Sequence, residues 1–203
     1  MARPRTIDRD AVLDAAQRVV ARDGAAGLTL EAVAAEAGIS KASVLYDYGT
    51  KQALMKALIE RRIAAEDSRI GEIEAGLGAV PDAAIRARLA SELRDLTDED
   101  RSVALSLCAL VAQDAELRAP IQEMMRRRIA RVLETSSQPR GALLAFLAIE
   151  GLMALEWLGL HRWQTEERGA LLAEIGWLAE QQPELRNALV TASGLPAHRS
   201  KTL

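Results

Sequence analysis

Lys41, Ala42 and Ser43 follow directly on Ser40, and Lys51 stands a short distance further along. These residue types can read nucleic acid. A lysine donates to guanine O6 and N7, a serine hydroxyl donates or accepts, and an alanine methyl touches the thymine methyl. Alanine and serine are also small enough to let a helix sit close in a groove. Thr29, Ser40 and Lys51 fall where helices are predicted to begin, and there free backbone amides and the helix dipole favour phosphate oxygens. Each residue alone reads as an ordinary cap or a solvated lysine; the set at this spacing is what points to DNA. No catalytic constellation competes with it. The chain lacks a P-loop, a zinc-protease helix and a nucleophile elbow, and Pro81 stands where Gly76 and Gly78 would need the third glycine of a dinucleotide loop. Two histidines, His161 and His198, and one cysteine, Cys108, supply neither a ligand cluster nor a disulfide. No enzyme, cofactor or metal site is expected.

To present those side chains, the flanking sequence must form short helices at a fixed angle. Val12, Ala16, Val19 and Val20 recur at helical spacing between Thr6, a cap, and Gly24, a stop, which predicts a helix over 7–23. Thr29 caps a second helix with Leu30, Val33, Ala34 and Ala37 on one face, closed by Gly38. Ser40 caps a third through Tyr48, and Gly49-Thr50 breaks it and caps a fourth from Lys51 toward Ile70. Helices of two turns are not stable alone. The pair joined at Ala37-Gly38-Ile39 therefore reads as a helix-turn-helix whose third helix enters the major groove.

The rest of the 203-residue chain also reads as helix. Segments are predicted over 82–96 capped by Asp82, 99–115 capped by Asp98, 118–134, 139–160, 166–181 capped by Thr165, and 184–193. Aromatics are only 3% and β-branched residues are sparse, so no sheet is expected. The longest apolar run, Ala142 to Ile149, is stopped by Glu150, far short of a membrane span. With no secretory leader in the basic N-terminus, a reducing cytoplasm is the expected compartment. Net charge is -3. Residues 1–64 hold ten basic and eight acidic side chains, a net of +2, while the remainder holds sixteen and twenty-one, a net of -5. The acidity lies outside the helix-turn-helix.

The segment from Ala142 to Leu160 is apolar nearly all round. Leu147, Ala154 and Leu158 face one way; Ala145, Ile149 and Leu152 face the other. Both sides need cover, which implies a second subunit. Cys108, Met124, Met125, Met153, Trp157 and Trp163 are candidates for an apolar pocket, with core packing as the plainer alternative. Glu150 and Glu156 lie on different sides of the helix, one available to a ligand and the other to a dimer mate. Arg126, Arg127, Arg128 and Arg131 read as a solvated face rather than a second nucleic-acid site.

Thr29-Leu30-Glu31-Ala32-Val33-Ala34, Gly38-Ile39-Ser40-Lys41-Ala42-Ser43 and Thr50-Lys51-Gln52-Ala53-Leu54 make the region Thr6 to Leu58 closely resemble the DNA-binding part of the TetR (tetracycline repressor-like) family. That resemblance implies an all-α homodimer of nine or ten helices per subunit. It also implies a C-terminal domain that binds a small ligand and thereby releases the operator. A weaker likeness of Ala148-Ile149-Glu150-Gly151-Leu152 and Thr165-Glu166-Glu167-Arg168 to family dimerisation helices places Ile149, Leu152, Glu156, Leu171, Ile175, Trp177 and Leu178 at the interface. One departure stands out. Relatives carry Tyr, then His or Tyr, where this chain has Leu45 and Asp47. Leu45 donates no hydrogen bond and Asp47 repels phosphate, so Tyr46 and Tyr48 are expected to take over, with Asp47 accepting from cytosine N4 or bracing Lys51.

The expected organisation is a helix-turn-helix domain over 1–60 and a helical effector-binding and dimerisation domain over 61–203. The expected function is that of a repressor released from a near-palindromic double-stranded operator by a small apolar effector. The alternatives are an all-helical scaffold that uses the helix-turn-helix for oligomerisation, and a DNA-binding protein with no effector.

Overall fold

Asp8 opens the first helix, α1 (Arg9–Gly27), by accepting from the amides of Asp10 and Ala11. The computed structural model describes residues 8–94 and 97–183, so Thr6, the expected cap, and the expected helix over 184–193 lie outside the described residues. Gly24 does not stop α1 but kinks it, at φ 69° and ψ 177°, and the helix resumes to Gly27. The next three caps form as the side-chain chemistry dictates. Thr29 accepts from Ala32 N–H at 3.0 Å to start α2 (Leu30–Ala37), Ser40 from Ser43 N–H at 3.1 Å to start α3 (Lys41–Tyr48), and Thr50 from Ala53 N–H at 3.0 Å to start α4 (Lys51–Leu77). Gly38, at φ 65° and ψ 32°, closes α2 by returning its amide toward the Ala34 and Ala35 carbonyls.

Five further helices follow: α5 (Ala83–Ser91), α6 (Asp98–Gln113), α7 (Ala115–Thr135), α8 (Pro139–Trp157) and α9 (Thr165–Ala179). Among the described residues the chain is all-α, with nine helices and no strand. Several boundaries differ from expectation, each for a local reason. Asp82 precedes α5 but does not cap it, because its backbone is left-handed (φ 63°) and its carboxylate instead accepts from the Ser137 amide at 2.8 Å. Thr97, not Asp98, caps α6, in a reciprocal box with Asp100. Asp114 ends α6 and caps α7 at once, so α7 begins at Ala115 and carries Pro120 inside it. Gly159, at φ 67°, ends α8 ahead of residue 160. Thr165 is already helical, and Gln164 precedes it without a side-chain bond.

Two apolar cores hold these helices. The first packs Val12, Val19, Val33, Val44, Leu54 and Leu58 of α1–α4 with Val103 and Leu107 of α6 and Leu117 of α7. The second packs Ile85, Val132, Phe146, Ile149 and Met153 of α5, α7 and α8 with Ala179 of α9. Alternation of helical faces between these cores makes α4 a strut: its first turns belong to the first core, and its far half lies against α5 and α7. At 27 residues and about 1.5 Å per residue it is roughly 40 Å long. Among the described residues no helix is long and apolar enough to cross a membrane.

Candidate nucleic-acid interface

Val44 is the anchor that sets which way α3 faces. It is fully buried while Lys41, Ala42, Leu45 and Tyr46 stand exposed. Ser43 is half-buried, and its hydroxyl meets that of Ser40 at 2.8 Å. Lys41 is ion-paired with Glu31 of α2, and this hydrogen bond holds the Glu31 carboxyl below its ordinary pKa. Both partners are exposed, so the pair is weak and easily exchanged for another anion. Tyr46 is 89% exposed, and its phenol makes no hydrogen bond among the described residues.

The other expected contacts are engaged within the protein. The Lys51 ammonium donates to the carbonyls of Ala25 and Ala26 at 3.3 and 3.4 Å, tying the start of α4 to the end of α1. Asp47 therefore does not brace it. Arg9 donates instead to the Asp47 carbonyl at 3.1 Å, and the carboxylate Oδ2 of Asp47 is buried without a partner among the described residues. Tyr48 donates to the Arg9 carbonyl at 3.3 Å and lies under the Arg9 guanidinium, and burial pushes its phenol pKa up. Of the two tyrosines, Tyr46 is the one left exposed. Arg9 was invisible in the sequence as a positioning residue, because its partners lie almost 40 positions away.

The C-terminal candidates are not gathered in one cavity, although Glu156 and Trp163 line the same cleft. Ile149 and Met153 are fully buried in the second core, with Met125, Trp157 and Ile175 packed partly against it. Met124 and Leu152 are buried, while Cys108 is exposed on α6 rather than in a core. Trp163 lines a polar cleft with Arg101, His161, Arg162 and Arg168. Glu150 accepts from Arg88 at 3.0 Å, and Glu156 from Arg168 at 2.9 Å, so both carboxylates are paired inside the subunit. Of the expected interface residues, Leu171 and Leu178 are half-buried and Trp177 is 62% exposed. Arg127, Arg128 and Arg131 pair with Asp67 and Glu74 of α4 rather than pointing to solvent unpaired. Burial pulls the Arg88 pKa down, but Glu92 and Glu150 outweigh it and the net direction is up.

Two short helices crossing at a glycine turn, with the second presenting Lys41, Ala42 and Tyr46 outward from an all-helical body, define a DNA-binding regulator of helix-turn-helix type. Residues 12–58 match the family model for bacterial regulatory proteins of the tetR family, and residues 78–180 match the tetracyclin repressor-like C-terminal domain. The chain belongs to the TetR family. Solved structures agree in fold. A TetR-family member from Streptomyces coelicolor A3 is 21% identical, covering 82% of this chain and 96% of its own, with a TM-score of 0.66. A transcriptional regulator from Rhodococcus sp. Rha1 is 23% identical over 85% and 96%, with a TM-score of 0.66. The multidrug binding protein EbrR, complexed with ethidium, is 23% identical over 82% and 97%, with a TM-score of 0.61. A comparison with curated proteins found no match.

Proposed function

We propose that this regulator is a homodimeric repressor that releases a near-palindromic operator when a small effector binds its C-terminal part. The observation that carries the DNA half is the outward face of α3, where Lys41, the small Ala42 and Tyr46 all stand exposed. Support for the dimer comes from α8. Leu144, Leu147, Leu155 and Leu158 are all exposed along one stripe, with Trp177 of α9 exposed as well. Such a contiguous apolar surface marks an interaction site. Ile149 and Leu152 fill the subunit's own core, so the interface falls to the opposite stripe.

Support for effector control comes from α4, which is tied to α7 at its start and again past its middle. Gln52 donates to Asp114, the α7 cap, at 2.8 Å, and Asp67 accepts from Arg128 at 2.7 Å. A ligand that shifts α7 therefore bears on the helix that follows α3. Selection of bound sequences from a random DNA pool tests the first half, and the expected product is a near-palindrome with half-sites about one helical turn apart. A metabolite screen by tryptophan fluorescence, each hit titrated with and without operator, tests the second. An effector must lose affinity in the presence of operator by the factor by which it weakens the operator. EbrR is a drug-binding protein of the same fold, which is consistent with such a use of this architecture.

A further inference from the structure

Between Leu30 and Tyr48, the span of α2, its turn and α3, Lys41 is the only lysine or arginine, set against Glu31, Glu36 and Asp47. The helix-turn-helix itself therefore meets the DNA polyanion with a single cation. Glu36 is neutralised from α1, by Arg18 at 2.7 Å and Arg22 at 3.0 Å. Glu31 has no such cover. It stands in the first turn of α2, and its one ion-pair partner among the described residues is Lys41, at the start of α3. Both side chains are more than half exposed, so burial does not hold them together.

In this motif the first helix crosses the DNA backbone while the start of the second meets base edges. On that geometry α2 carries Glu31 toward the phosphates and α3 carries Lys41 toward the bases. If the lysine swings to a phosphate, Glu31 is left as an uncompensated charge beside the backbone, where like charges repel. If it keeps Glu31, one of its three N–H groups is used and two are free, matching the O6 and N7 acceptors of guanine. Exchange to a phosphate is thus easy for the lysine by itself and unfavourable for the pair. We infer that Glu31 is a specificity-determining residue, which keeps Lys41 off the phosphates and aims its ammonium at a guanine edge. The inference rests on the reading that α3 enters the major groove, and it assigns a base preference to a side chain of α2 that touches no base.

The test is selection from a random DNA pool by the full chain and by its Glu31→Gln, Lys41→Gln and doubly substituted variants, followed by titration of the selected duplex and of a scrambled duplex across salt. Glu31→Gln keeps the size of an exposed side chain and removes its charge, so circular dichroism should be unchanged. The unsubstituted chain should prefer guanine at one position of each half-site, and Lys41→Gln should lose that preference. Glu31→Gln should reduce it by about fivefold or more, the lower end of what a bidentate base contact is worth. It should also bind the scrambled duplex more tightly, with a slope of log affinity against log salt steeper by about one unit, because the lysine then turns to a phosphate. In the Lys41→Gln background the same change should leave base preferences as they are. An unchanged guanine preference in Glu31→Gln overturns the inference. So does a change of preference that persists without Lys41, since Glu31 would then read a base itself. Equal weakening of the selected and scrambled duplexes overturns it as well, making Glu31 a structural part of α2. Those three outcomes leave the groove reading of α3 standing, whereas an unsubstituted chain that selects no sequence refutes both.

Discussion

Tyr46 and Lys51 exchange the roles that their types alone suggest. An exposed lysine at a helix start is a natural phosphate contact, yet the Lys51 ammonium is held by the Ala25 and Ala26 carbonyls, while the Tyr46 phenol has no hydrogen-bond partner among the described residues. Lys51→Met keeps the apolar stem and removes those bonds. It should lower stability to urea by about 1 to 2 kcal/mol while leaving the slope of log affinity against log salt unchanged. A slope shallower by about one unit would mean instead that the lysine leaves α1 for a phosphate on binding. Tyr46→Phe should weaken operator binding by about 1 kcal/mol, the worth of one hydrogen bond, with an unaltered melting temperature. Equal affinity of the two proteins would remove the phenol from the contact.

At the scale of elements, α3 depends on one side chain. Val44 is its sole buried residue, and the Ser40 cap starts it. Val44→Ala removes two methyl groups from the first core, and should cost about 2 kcal/mol. Operator affinity should fall with it because α3 loses its seat, and urea unfolding together with DNA titration checks both. A close approach governs the other end of the chain. A Cβ on Gly141 would stand 2.8 Å from the Leu178 carbonyl and closer still to that of Gln181. Backbone cannot yield there as a side-chain tip can. Gly141→Ala should therefore separate α8 from the end of α9, lowering the melting temperature, whereas Gly151→Ala, with open space around it, should not.

For the whole molecule, the exposed stripe on α8 carries the assembly. Leu147 is 55% exposed. Leu147→Arg places a charge where the stripe would be covered, and should yield a folded monomer by sedimentation, since the residue contributes nothing to the subunit's core. Operator affinity should then drop by about 100-fold or more, because two half-sites are no longer engaged by linked modules. A dimer that survives the substitution would move the interface off α8. Leu152→Arg is the contrasting case: Leu152 is buried within the subunit, so its replacement should unfold the chain rather than split a dimer.

Local chemistry carried much of this legibly in the sequence. Thr29, Ser40 and Thr50 cap as their hydroxyls require, Gly38 adopts the left-handed turn, and the spacing of Leu30, Val33 and Ala34 orients the first of the two short helices. Those relations span three or four residues, which is the reach of helix periodicity and capping. What only the tertiary structure decided were relations between distant residues. The α8 segment is apolar on both sides, so its sequence alone could not say which stripe fills the core, and packing against Ile85 and Phe146 sent Ile149 inward and left Leu147 out. Lys51 reaches Ala25, Arg9 reaches Asp47 and Arg88 reaches Glu150 across separations that no periodicity encodes. Charged side chains are long and flexible, and their partners are chosen by which helices come to lie side by side.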